Sequence, residues 1–333
     1  MIITANAYAR AGLVGNPSDG YFGKTISFVI RNFKTTVHLW ESPHFEIVPT
    51  HGDLTKFDTV DEFLSDLKLH GYYGGMRLIK ATVKRFHEYC LQNNRELHKR
   101  NFTIEFSTTI PRLVGMGGSS AIVTATMRAL ERFYEIEIPQ HYLPTLSLSV
   151  EEDELGLTAG LQDRVVQTLE GFVYMDFKRS LVERRGYGEY EPLKPEKMPP
   201  LYLAYDQDRA QVSDVAHRDL RGAFNSGDKT VVAAMHKFAE LTERGRAALL
   251  AENWDELDQV MNANFDLRRT IMTIAPQNLR MIEAARSVGA SAKFAGSGGT
   301  IIGLYHSARQ YQEVVDALGG VRCTVLRPLI YEP

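Results

Sequence analysis

Between Pro111 and Ala121 the chain reads Pro-Arg-Leu-Val-Gly-Met-Gly-Gly-Ser-Ser-Ala, and the period of the residues that follow changes abruptly. Ile122, Ala125, Thr126, Ala129, Leu130 and Phe133 recur at i, i+3, i+4, i+7, i+8 and i+11, the stripe of a helix with one buried face. A glycine loop that opens straight into a buried helix fixes a helix N-terminus inside the fold. Gly115, Gly117 and Gly118 permit positive φ and close backbone approach, while Ser119 and Ser120 can cap the helix or face a metal. Several N–H groups and the positive end of a helix dipole aimed at one point suit a polyphosphate. Taken alone, the same loop also describes an ordinary turn with a serine cap.

Three further segments narrow the choice. Thirty residues on, Val150–Asp163 carries a carboxylate cluster, Glu151-Glu152-Asp153-Glu154, then a glycine-punctuated turn and the lone Asp163. Phosphoryl transfer to a hydroxyl asks for a hard cation on oxygen ligands and a carboxylate near the acceptor; Glu152 and Asp163 can supply these. Glu151 and Asp153 read as a solvated helix end, whereas Ala159, Gly160 and Leu161 before Asp163 and Val165 and Val166 after it predict a buried setting for it. Ala292–Ile302 holds a second glycine loop, Gly296-Ser297-Gly298-Gly299, feeding a strand, which a tight hairpin also explains. Arg10–Asp19 is a strand ending in a polar turn.

Composition excludes several classes. A formal net charge of -3 over 333 residues offers no general field for nucleic acid or an anionic membrane, so a small anion needs a local site. Cys90 and Cys323, far apart, argue against a disulfide framework or a cysteine-built metal site and for a reducing cytoplasm. No signal peptide or membrane span is read. Gly23-Lys24-Thr25 imitates the end of a P-loop, but Ser18 stands where the earlier glycine belongs and Ile26–Ile30 reads as strand, so that motif is rejected.

The coarse pattern is α+β. Strands are expected at 11–14, 25–30, 35–40, 45–48, 102–106, 171–177, 201–205, 300–305 and 323–326. Helices are expected at 73–92, after the glycine loop, at 143–155, over a long section 229–272, at 277–288 and at 308–318. The prolines and charges of residues 178–200 mark a boundary, giving domains 1–190 and 191–333.

In this order and at these separations, the segments resemble the GHMP kinases, whose middle motif is P-x-x-x-G-L-G-S-S-A. Gly115–Ala121 matches it with Met116 for Leu and one extra glycine. The resemblance implies a two-domain α+β fold: an N-terminal domain with a left-handed β-α-β crossover and a ferredoxin-like C-terminal domain. It implies ATP bound by Pro111, Gly115, Met116, Gly117, Gly118, Ser119, Ser120 and Ala121 with Gly296, Ser297 and Gly298. Mg²⁺ would be held by Ser120 and Glu152, eleven residues before the catalytic Asp163, with Arg10 lowering the acceptor hydroxyl's pKa and Asp19 contacting the sugar. Asn16 stands where a galactokinase has Glu, so sugar contacts do not carry over wholesale.

Longer stretches, Leu13–Ser27, Gly71–Gly75, Gly160–Val165 and Asn264–Arg269, are similar to the glucuronokinase branch of that family. That likeness implies a sugar 1-kinase making glucuronate 1-phosphate and ADP from D-glucuronate and ATP, as a monomer or homodimer. A neutral sugar, a heptose phosphate or a mevalonate-like acid are other acceptors for the same chemistry, and a nucleotide-binding regulator without turnover is the alternative of another class. A uronate carries a carboxylate, for which Arg268 and Arg269 are candidates, although both also read as an exposed helix face.

Overall fold

The structure, a computed structural model, describes residues 1–49, 74–206 and 214–331, with side chains from residue 220 in the last stretch. Of the stretch Gly71–Gly75, residues 71–73 lie outside the described residues.

Strands β1 (Ile2–Val14) and β2 (Lys24–Glu41) make a long antiparallel pair at the centre of the first sheet. The strands expected at 25–30 and 35–40 are thus one, and 11–14 is only the tail of another. Arg31, Asn32, Phe33 and Lys34 break the apolar run in sequence and alternate between half-buried and exposed, and the β1–β2 register shifts across them, from Ala9 opposite Ile30 to Tyr8 opposite Lys34, within one continuous strand. Along β1, Ala5, Ala7, Ala9 and Ala11 fall on one face and are all buried, a surface flat enough for a helix to lie close.

β3 (Glu46–Ile47) runs parallel to β4 (Phe102–Thr108), and helix α1 (Gly75–Gln92) lies between them in sequence. Helix α2 (Gly118–Tyr134) packs on β1 and β2 with Ala121, Ala125 and Ala129 fully buried. Helix α3 (Leu143–Ser149) passes into one wide π-helical turn, Val150–Glu154, where a single α-helix is expected from the sequence. Helix α4 (Leu161–Leu169) then leads into β5 (Phe172–Asp176). The expected boundary, 178–200, holds helix α5 (Arg179–Arg185) and β6 (Glu189–Leu193), which pairs with β5.

The second sheet is antiparallel, order β10-β7-β9-β8, from β7 (Leu201–Asp206), β8 (Lys293–Phe294), β9 (Thr300–Leu304) and β10 (Cys323–Leu326). Helix α6 (Asp214–Asn225) was not foreseen. The long helical section is two helices, α7 (Lys229–Leu250) and α8 (Trp254–Ile271), divided where Asn253 accepts the Glu256 N–H and caps the second. Helices α9 (Pro276–Ser287) and α10 (Ala308–Gly319) complete this half. Its core sets Phe265, Met281 and Ile282 against Tyr202, Phe294 and Ile301. Among the described residues no helix is long and apolar enough to cross a membrane.

Candidate active site

The first glycine loop delivers a helix end with its donors unspent. Gly117, at φ 73, occupies the N-cap of α2, and no side chain caps it. The expected serine cap is therefore absent, because a residue with a side chain at position 117 would be strained. Ser120, fully buried, donates its hydroxyl back to the Gly117 carbonyl at 3.0 Å. Its lone pairs stay free, and the first N–H groups of α2 stay available to an anion.

The second glycine loop lies directly against the first. Thr300 Oγ1 donates to the Val114 carbonyl at 2.7 Å, and a Cβ on Gly115 would stand 2.7 Å from the Gly298 carbonyl oxygen. β1 threads between them, with Arg10 N donating to Met116 O at 3.0 Å and Gly12 N to Ala295 O at 2.7 Å. Pro111, Ser119, Ala121, Gly296 and Ser297 are carried on these same segments. Three stretches of sequence thereby become one wall.

Arg10 sits between two register shifts in the β1–β2 pairing, at Tyr8/Ala9 and Gly12/Val14, which aim a strand residue out of the regular ladder. Its side chain donates to Asp163 from Nε at 2.6 Å and from Nη2 at 2.8 Å, and to the Gly115 carbonyl from Nη1 at 2.5 Å. Burial pushes the Asp163 carboxyl up, but the Arg10 charge and hydrogen bonds more than reverse this, and it lies below the ordinary carboxylate value. Val165 and Val166 behind it are buried as expected, whereas Ala159, Gly160 and Leu161 are half-exposed or nearly so.

Asp19 occupies a short 3-10 turn, Ser18–Tyr21, after a cis Asn16–Pro17 bond, and packs its carboxylate against Gly160. Burial and the Asp163 charge push its pKa up to about 6, with Arg10 pulling the other way. Asp19 and Asp163 thus face one space with their pKa values driven apart.

The π-helical turn separates the acidic cluster into two roles. Glu151, expected on a solvated helix end, is buried and ion-paired to Arg164. Glu152 is half-buried, with Arg221 Nη1 4.0 Å away and the Ala159 N–H on its carboxylate, and burial pushes its pKa up. Wide turns of this kind recur at functional sites because they re-aim side chains within a helix.

Ser120 and Glu152 fit Mg²⁺ by donor chemistry. Both offer oxygen, the serine lone pairs are free, and a half-buried carboxylate with a raised pKa is a group that a cation would hold ionised. Two protein oxygens suffice for an ion that retains water and takes phosphate oxygens. Among the described residues no group of three or more His, Cys, Asp or Glu converges on a metal position.

Two residues were misread or passed over. Arg268, expected on an exposed face, is 2% exposed, and only Arg269 faces out. Helical spacing holds the missed signal: Leu257, Val260, Met261, Asn264, Phe265 and Arg268 share one buried face of α8. Lys293, inside the second loop segment, is also buried and donates to Gly12 O, Asn16 Oδ1 and Phe294 O at 2.6–2.7 Å.

Comparison with known proteins bears on this arrangement. The profile for the GHMP kinases N terminal domain matches residues 77–171, and that for GHMP kinases C terminal matches residues 246–320. Glucuronokinase 1 of Arabidopsis thaliana is 42% identical, the match covering 90% of this chain and 84% of that protein. The chain belongs to the GHMP kinase family. Probable glucuronokinase 2 of the same plant is 43% identical over 89% of this chain and 82% of its own. The fold agrees: Lactococcus lactis galactokinase, complexed with galactose, superposes with a TM-score of 0.76 at 15% identity, covering 99% of this kinase and 93% of that chain. The expected two-domain α+β GHMP kinase fold and the ATP-dependent small-molecule kinase are therefore established for this chain.

Proposed function

We propose that this kinase transfers the γ-phosphoryl group of ATP to the anomeric hydroxyl of D-glucuronate, giving glucuronate 1-phosphate and ADP. The observation that carries the reading is the likeness to plant glucuronokinases along nine-tenths of the chain, joined to an acceptor-side pair, Arg10–Asp163, that a mere nucleotide binder does not need.

ATP lies with its phosphates on the N-terminus of α2 and along Pro111–Ala121, with Gly296, Ser297 and Gly298 closing over them. Mg²⁺ on Ser120 and Glu152 would offset phosphate charge. Asp163, held ionised by Arg10, accepts the hydrogen bond of the acceptor hydroxyl and aims its oxygen in line with the phosphoryl group. Its low pKa makes it an orienting anion that takes the proton late, when bond formation has made that proton acidic. Arg10 stabilises the negative charge that grows on the acceptor oxygen. Asp19 receives the sugar's hydroxyls.

The same reading places the enzyme in the cytoplasm, as a monomer or homodimer acting without nucleic acid or membrane. Residues 1–190 form the ATP and metal unit and residues 191–333 the second unit. The test is ATP consumption with Mg²⁺ across glucuronate, galacturonate, galactose, mannose, heptose phosphates and mevalonate, with ³¹P NMR of the product. An anomeric phosphate on glucuronate is expected. Turnover of a neutral sugar with none on glucuronate would sink the acceptor while leaving the kinase.

A further inference from the structure

Arg268 spends its hydrogen bonds on the backbone of the second glycine loop: Nη1 donates to Gly296 O at 2.8 Å and Nη2 to Ser297 O at 3.1 Å. Its Nε–H is buried with no hydrogen-bond partner among the described residues. The guanidinium lies 5.0 Å from the centroid of the Phe294 ring, which fixes its plane. A rigid, buried cation with an idle donor is costly unless something charged arrives to meet it.

The neighbouring charges sharpen this. Arg10 is matched by Asp163, and Arg164 by Glu151. Arg268 and Lys293 are both buried, and among the described residues neither has a carboxylate within ion-pair distance. Burial and the charges of Arg268 and Arg10 push Lys293 well below the ordinary lysine range, so the fixed buried charge left unmatched is the Arg268 guanidinium. Gly296, whose carbonyl Arg268 holds, lies against the Arg10 guanidinium, a Cβ there standing 2.6 Å from Arg10 Nη1, which sets Arg268 beside the Arg10–Asp163 pair. The carbonyls of Gly296 and Ser297 that it holds would repel a phosphate.

We propose that Arg268 reads the carboxylate of the acceptor, its idle Nε–H and a remaining Nη N–H forming the fork that a planar carboxylate accepts. The proposal rests on the uronate reading above. It makes Arg268 a specificity residue, delivered by the second domain's helix α8 to a site whose chemistry is carried by the first. Arg221, 4.0 Å from Glu152 and 42% exposed, is the rival guanidinium near the same cleft.

Steady-state kinetics of R268Q, R268K and R221Q, with ATP, Mg²⁺ and glucuronate, decide between them. In R268Q the KM for glucuronate should rise about 10- to 100-fold, the worth of one charge-assisted contact, and by at least about fivefold more than the KM for ATP, which feels only the loss of the two bonds to the Gly296–Ser297 loop. R268K, which keeps charge but loses the fork, should show a smaller rise of about 3- to 10-fold, again larger for glucuronate than for ATP, and it decides the matter if R268Q does not fold. An unchanged glucuronate KM, equal rises in both KM values, or a larger effect from R221Q overturns the proposal. If the wild type phosphorylates a neutral sugar and not glucuronate, the uronate reading falls first and this proposal with it. Glucuronate turnover that R268Q leaves intact removes Arg268 alone.

Discussion

Arg10 grips Asp163 end to end, Nε to Oδ1 at 2.6 Å and Nη2 to Oδ2 at 2.8 Å, joining residues 153 positions apart in the chain. The pairing keeps the carboxylate ionised, points it at one place and leaves Arg10 dependent on it. Asp163→Asn should lower kcat about 10²- to 10⁴-fold and leave the KM for ATP nearly unchanged. It should also cost about 3 kcal/mol of stability, because Arg10, 7% exposed, would lose its counter-charge. Rate and denaturant titration on one preparation check both. Near-normal turnover would remove Asp163 from the chemistry.

Glu152 and Ser120 are expected to act on the same ion. In Glu152→Gln the Mg²⁺ concentration for half-maximal rate should rise about tenfold, equivalent to about 1.4 kcal/mol, with a smaller rise in Ser120→Ala. An unmoved Mg²⁺ titration in Glu152→Gln would exclude it as a ligand.

Asp19 supplies a pH dependence whose sign is fixed by its raised pKa of about 6. In the role proposed for Asp19 it is the ionised form that receives sugar hydroxyls, so kcat/KM for the acceptor should climb up to about pH 6 and level off above it. Asp19→Asn should lack that limb. For stability the direction is opposite: the folded carboxyl keeps its proton to about pH 6 where an unfolded one releases it near 3.8. That stabilisation is complete below about pH 4 and lost as pH rises through about 6. Asp19→Asn should thus melt about 2–4 °C above the wild type at pH 8 and level with it at pH 4.

Gly115 has φ 71 and no room for a Cβ beside Gly298. Gly115→Ala should push the two glycine loops apart, raising the KM for ATP about tenfold and costing about 1–2 kcal/mol. Nucleotide binding measured by calorimetry is the check, and wild-type affinity would separate the loop contact from ATP.

The fold class and the phosphate loop were legible because both depend on local pattern. Periodicity marked α2 and glycine spacing marked the turn. The breaks in that reading are equally physical. Residues Arg31–Lys34 look like a gap between strands because the β1–β2 register shifts across them, while the backbone carries on as one strand. The helix after Leu143 widens into a π turn because Glu151 pairs with Arg164 while Glu152 lies near Arg221, a choice made by partners distant in sequence.

Sequence by itself determined the glycine loop that opens a buried helix, a short-range object complete within a dozen residues. Tertiary structure decided the acceptor side. Whether Arg268 is surface or floor, whether Lys293 is free or locked to Asn16, and which carboxylate meets Arg10 are set by what the second sheet and α8 bring against β1. Burial and charge pairing are sums over neighbours from several segments, and no single stretch of chain contains them.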